Sequence, residues 1–333
     1  MRPRRSEALH ALVVAWVGVV LLGSARVARG QTGVVAEGAL EFVLPTGARS
    51  LGMGQAAVAS AVGSDGIWWN PAVIARGPRE LSLHIAQSPA NVTEGDASGS
   101  FVIPVHRLGA VAISFRYLNL GSYDLAIDPT SPQGTARNTS AILAASFAAP
   151  FGDRLSAGLT LKVLRLMTSC TGGGCDAPSS QPTTGAIDFG GQYFLTNDSA
   201  VAIGGAVRNF GLRLQVNDSP QADPLPGRAQ LGIAFAPKFA QLPKEVRVRA
   251  AMDVVARTSG VGGPGYRVGG EVAWQERYQG RVGYVVDGPT GSGPTFGAGF
   301  STGKLQIDFA QMLTDYGSQS GSAATYLSLR YIF

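Results

Sequence analysis

Few residues of this 333-residue chain have types and spacings that could do covalent chemistry. Cys170 and Cys175 enclose Thr-Gly-Gly-Gly, which suits either a small disulfide-closed loop or part of a metal site. A metal would need further ligands, and the three histidines, His10, His84 and His106, all lie far from the pair in sequence. A disulfide is therefore the expected state, given the export signal described below. A hydrolase would need Ser, His and Asn or Asp gathered around a nucleophile. His84 and His106 sit in no recognisable motif, and no Gly-x-Ser-x-Gly elbow or phosphate-binding loop is present. The stretch 260–265, GVGGPG, has the wrong glycine spacing for a dinucleotide. The expectation is a protein that is not an enzyme, with no catalytic site, no cofactor and no metal.

What remains is a set of charged side chains placed singly among apolar ones. Nine are basic (Arg116, Lys162, Arg208, Arg228, Arg247, Arg249, Arg267, Arg281, Arg330) and four acidic (Asp188, Asp253, Glu271, Asp308). Their chemistry is either to guide an anionic head group or to pair with one another and with backbone carbonyls inside a sheet. Their spacing shows what must position them. Arg116 alternates with Phe115 and Tyr117; Arg247, Arg249 and Asp253 oppose Val246, Val248, Met252 and Val254; Lys304, Gln306 and Asp308 oppose Leu305, Ile307 and Phe309. A period of two places charges on one face of a strand and apolar residues on the other.

Fourteen such strands are expected, at about 80–88, 99–107, 110–119, 138–149, 154–168, 184–195, 200–210, 227–237, 245–257, 265–275, 278–287, 293–301, 304–314 and 323–333. Links after the even-numbered strands are mostly short; those after the odd-numbered strands, such as 120–137, 169–183 and 211–226, are mostly longer. Even strand number, sorted loops and strands near the 9–11 residues of a tilted span predict an all-β, transmembrane antiparallel barrel. Charges must then face the lumen, because lipid has no water to solvate them. The last strand carries Leu329, Tyr331 and Phe333 on one face, and its terminal Phe resembles the assembly signal of outer-membrane barrels.

The chain opens with Arg2, Arg4 and Arg5, an apolar run over 11–22, and small residues after it. That is the pattern of a cleaved signal peptide, with cleavage expected after Gly30 or Ala25. Removing residues 1–30 takes five Arg and one Glu from 27 basic and 22 acidic residues, leaving a net charge of +1. The basic balance thus belongs to the leader, and no nucleic-acid partner is implied. Expected partners are the lipid of a Gram-negative bacterial outer membrane and the barrel assembly machinery.

Between leader and barrel, residues 47–72 read GARSLGMGQAAVASAVGSDGIWWNPA. Gly52 and Gly54, on either side of Met53, allow close backbone approach or a positive φ. The Ala/Val run 56–62 suits a short helix, and Asn70 before Pro71 favours a non-helical turn. Residues 31–79 read as a luminal plug ahead of a barrel over 80–333. Trp68 and Trp69 would cap the plug, line an apolar passage or only fill space. Gly47, Ala48, Arg49, Leu51, Gly52, Met53 and Gly54, then Trp69, Asn70, Pro71 and Ala72, resemble the N-terminal signature of the PorV/PorQ family. That family is related to the FadL-type barrels for long-chain fatty acids and toluene. Gln55, Ala61, Val62, Gly63, Val73 and Ile74 depart from the family pattern.

The resemblance implies a fourteen-stranded outer-membrane barrel with an N-terminal segment in its lumen. It further implies passage of small hydrophobic or amphipathic molecules. The alternative is a surface protein-interaction role in a type IX-like secretion system that receives secreted proteins.

Overall fold

The computed structural model describes residues 37–333 apart from 88–94, 129–130, 173–174, 176–180, 216–221, 239–241, 260–262, 289–290 and 314–323. The expected leader and both cleavage positions lie outside the described residues, as does much of the 169–183 loop.

The period-two segments close into one antiparallel barrel of fourteen strands. In chain order these are β1 (Glu80–Gln87), β2 (Gly95–Val105), β3 (Gly109–Asp128), β4 (Ser131–Phe151), β5 (Leu155–Gly172), β6 (Thr183–Phe194) and β7 (Val201–Gly211). A two-stranded hairpin, β8 (Leu214–Gln215) with β9 (Ala222–Asp223), stands apart from the wall. The wall resumes with β10 (Arg228–Phe235), β11 (Val246–Arg257), β12 (Gly265–Trp274), β13 (Tyr278–Gly288), β14 (Gly291–Ser301), β15 (Leu305–Met312) and β16 (Ala324–Ile332). β1 pairs with β16, opposing His84 to Ser328, so no strand edge is left open to lipid.

The alternation sorts as lipid requires. Leu81, Leu83, Ile85, Ile113, Phe115, Val268 and Val272 are exposed on the outer face, whereas Glu80, Ser82, His84, Ser114, Arg116, Arg267 and Glu271 are buried on the inner one. A Lys or Arg at the membrane midplane on the outer face would cost about 2–4 kcal/mol. Ring pairs Trp274–Tyr278, Tyr278–Phe300 and Tyr331–Phe333 gather at the end of the barrel that carries the short turns, where an interfacial aromatic girdle belongs. No helix among the described residues is long and apolar enough to cross a membrane.

Three local expectations change. Residues 120–128 and 131–137, expected as loop, are strand. They continue β3 and β4 into a tall hairpin, because the cross-strand ladder runs on past a register shift between Asn119 and Ser122. The link 211–226 contains β8 and β9. The run 56–62 is not helical: the Val58 amide donates to Asp253 (2.9 Å) and the Ala59 carbonyl accepts from Gln192 (3.0 Å). Wall side chains thus pin the backbone groups of this run and hold it off a helical course.

Residues 37–79 descend through the barrel from the long-loop end to the short-turn end. Glu37 pairs with Arg228, the first residue of β10. The Leu44 carbonyl accepts from Arg116 midway down β3 (2.9 Å). Arg76 donates to the Gly152 carbonyl in the turn after β4 (2.6 Å). Between them lie only short helical turns: Leu40–Val43, Ala48–Gly52, Gly63–Asp65, Gly66–Trp69 and Pro71–Arg76.

Candidate functional site

The site is the contact between this N-terminal segment and the inner wall. Gly52, Met53 and Gly54 seat against β12, β13 and β14. Gly54 has φ +64°, and a Cβ there would strike the Val268 carbonyl and the Tyr284 amide nitrogen. On the wall, Gly283 approaches the Gly54 amide and Gly269 approaches the Met53 carbonyl with the same tightness. Thr295 fastens the turn, accepting from the Gly54 amide (3.0 Å) and donating to the Gly52 carbonyl (3.2 Å). Small residues on both partners are therefore required for backbone to lie on backbone.

The inner-face charges form separate clusters. In the first, Glu271 accepts from Arg49 (3.1 Å), Arg249 (2.5 Å) and Arg281 (2.6 Å), and Arg281 also reaches Asp308 (2.7 Å). Burial holds the Arg49 guanidinium below its usual value, and Glu271 opposes that shift. In the second, Arg330 contacts Asp65 of the segment (3.2 Å) and Glu80 (3.0 Å). Asp65 also accepts from Ser50 (2.7 Å), and Glu80 from the Ser64 amide (2.9 Å). His84 Nδ1 meets Ser328 Oγ at 2.7 Å, and that oxygen accepts from the Ala48 amide (2.8 Å).

Elsewhere, Arg116 grips Asp96 and packs over the Trp68 ring (5.7 Å to the centroid). Lys162 pairs with Asp188 (2.8 Å) beside Phe42. Asp253 accepts from Val58 and from Gln230 (2.7 Å). Arg247 stands apart near the short turns, 3.7 Å from Glu276 and substantially exposed. Glu41 lies buried on the segment with one carboxyl oxygen unpartnered, and burial pushes its carboxyl up.

Trp68, Trp69, Asn70 and Pro71 are buried. The Trp69 indole donates to the Thr46 carbonyl (2.9 Å). Asn70 caps the turn that Pro71 begins, its side chain accepting from the Ala72 amide (3.1 Å). Arg208 donates to the Trp68 carbonyl (2.7 Å) and lies 5.2 Å from the Trp69 ring centroid. Beside Trp69, at the long-loop end, is a small open recess with about 30 Å³ of room for water-sized molecules.

The sequence pattern placed the wall cations but missed several of their partners: Glu37, Glu80, Asp96 and Asp65. Glu80 shares a face with Ser82 and His84, which alternation could have revealed. Asp96 preceded the expected start of its strand, and Asp65 lies on an irregular segment with no period. Cys170 and Cys175 are disulfide-bonded. Leu329, Tyr331 and Phe333 form an exposed outer-face row at the chain's end. Among the described residues no group of three or more His, Cys, Asp or Glu is placed to hold a metal ion.

The model of the family described as Type IX secretion system protein PorV matches residues 28–255. No curated protein matches the sequence. Among solved structures, the toluene transporter TbuX of Ralstonia pickettii is similar at TM-score 0.60 and 14% identity, covering 86% of this chain and 98% of its own. The P. putida toluene transporter TodX gives 0.60 and 13%, with coverage of 86% and 98%. A Pseudomonas aeruginosa FadL homologue gives 0.51 and 13%, with coverage of 88% and 99%. At these identities the likeness is one of fold.

Proposed function

The chain belongs to the PorV family, and we propose that it passes small hydrophobic or amphipathic molecules across a bacterial outer membrane. Fold and family both point to that membrane. In this reading residues 1–30 are a cleaved export signal, 31–79 a plug, and 80–333 the barrel that the assembly machinery inserts. The long-loop end faces outward, as in barrels of this kind. The observation that carries the reading is how residues 37–79 are held. They meet the wall through side chains that ligate one another, leaving a recess beside Trp69 at the outer mouth. Gly52, Met53, Gly54, Trp68, Trp69, Asn70 and Pro71 are the gate residues. The outer-face row Leu329, Tyr331 and Phe333 serves as the assembly signal. The structural neighbours whose titles name toluene transport lend support by analogy of fold. Flux of labelled fatty acids and of toluene into liposomes carrying the purified chain tests it, and flux no greater than in empty vesicles rejects it.

A second reading, receipt of secreted proteins at the cell surface, is favoured by the family description and by one observation. β3 and β4 run 20 and 21 residues, about twice what a tilted span requires, so their hairpin stands clear of the membrane as a recognition surface. Affinity capture from the native host that recovers no exported protein and no secretion component would count against it.

A further inference from the structure

Residues 37–43 cross the long-loop mouth and are fastened at both ends. At the lower end the Leu44 carbonyl accepts from Arg116 Nη1 (2.9 Å) and the Pro45 carbonyl from Arg116 Nη2 (3.4 Å). At the upper end Glu37 accepts from Arg228 Nη1 and Nη2, both at 2.8 Å, and Ser259 Oγ lies 3.1 Å from Glu37 Oε1. Two parallel bonds of this kind are strong and geometrically exacting. The Gly38 amide donates to the Pro224 carbonyl (3.0 Å), and a Cβ on Gly38 would stand 2.9 Å from Asp223 Cβ. Between the fastenings, the turn Leu40–Val43 buries Phe42 in one cluster with Trp69, Leu214 and Leu225, and Val43 lines the recess beside Trp69. No strand precedes Glu37 among the described residues. This end can therefore lift without breaking the barrel's ladder.

The same turn carries a group that works against closure. Glu41 is 9% exposed, and its Oε2 is buried without a hydrogen-bond partner. A carboxylate so placed costs free energy for as long as the turn is down, and lifting returns it to water. Glu37 and Glu41 thus pull in opposite directions: closure stabilises the first and opening the second.

We propose that residues 37–43 are a strap that closes the outer mouth, latched by the Glu37–Arg228 pair against the burial of Glu41. The structure holds the closed form. Release of Glu37 lets the strap lift from Leu214 and Leu225 and uncovers Val43 and Trp69. This rests on the passage reading and names what shuts its outer end.

The test is the rate at which a soluble maleimide labels Val43→Cys in the purified full chain in detergent at pH 8. Val43 is 8% exposed and the native cysteines are disulfide-bonded, so labelling reads the lifting of the strap. Adding Glu37→Gln should quicken labelling about tenfold, and adding Glu41→Gln should slow it. Glu37→Asp, which keeps the charge but shortens the reach, should quicken it less, and serves also if Glu37→Gln fails to assemble. Glu37→Arg combined with Arg228→Glu should bring the rate back toward that of Val43→Cys alone, a reversal that general loosening of the barrel would not give. A rate indifferent to both Glu37 variants, a rate quickened by Glu41→Gln, or no recovery in the charge swap would each overturn the strap. Labelling that responds as expected without liposome flux would reject the passage reading and leave the strap standing. Flux of toluene with labelling indifferent to Glu37 would do the reverse.

Discussion

Arg330 on the last strand reaches Asp65 of the N-terminal segment at 3.2 Å and Glu80, the first residue of the first strand, at 3.0 Å. One side chain therefore joins the segment to both sides of the seam where the barrel closes. Arg330→Ala leaves two buried carboxylates without their cation, a change expected to cost about 3–5 kcal/mol. The temperature at which the folded, fast-migrating band disappears on a gel should fall well below that of the native chain. An unchanged temperature would mean that the seam closes without this contact.

Gly54 is expected to tolerate no side chain. Gly54→Ala must hold a left-handed φ at about 1–3 kcal/mol and also push against Val268 and Tyr284. The segment should loosen before the barrel does, so proteolysis between residues 37 and 79 should quicken while the barrel fragment stays folded. Gly152 has the same φ of +64° with nothing within 4 Å of a Cβ. Gly152→Asn is therefore the control that should behave as the native chain does.

Glu41 gives the segment a pH dependence of known sign. Burial raises its carboxyl above the ordinary 4.5, so the folded state favours the protonated form. Stability from this group is highest in acid and is lost as pH rises through the raised value. Glu41→Gln should be more heat-resistant than the native chain at pH 8, and the difference should vanish toward pH 4. A gap that widens in acid would refute the sign.

In the proposed orientation the disulfide marks the outward end. Cys170 lies in the last turn of the ladder of β5, next to the long link that holds Cys175. A membrane-impermeant maleimide should label intact cells only after a mild reductant. Labelling that also needs the membrane broken would place this end inside.

The barrel was legible in the sequence because one face in lipid and one in the lumen force strict alternation, as at Ile113, Ser114, Phe115 and Arg116. The long β3–β4 hairpin was not. Beyond the membrane that constraint ends, and residues such as Gly121, Ser122 and Asp124 look like loop while the backbone ladder continues. The cations of the site were visible for the same reason as the strands. Asp65 and the path of residues 37–79 were not, because short turns shaped by wall contacts leave no period to read.

The course of residues 37–79 also constrains how the molecule can be built. One end of the segment lies at the long-loop mouth beside Arg228, and the other joins β1 at the opposite mouth. Pushing it through a finished cylinder would mean dragging Arg49 and Asp65 past a wall already carrying their partners. Wrapping the sheet around it needs no such passage: each hairpin can add while the segment offers its side chains, and β16 seals last against β1. The segment is then a mandrel on which the cylinder is wound, and its sequence is as much an instruction for assembly as for the finished barrel.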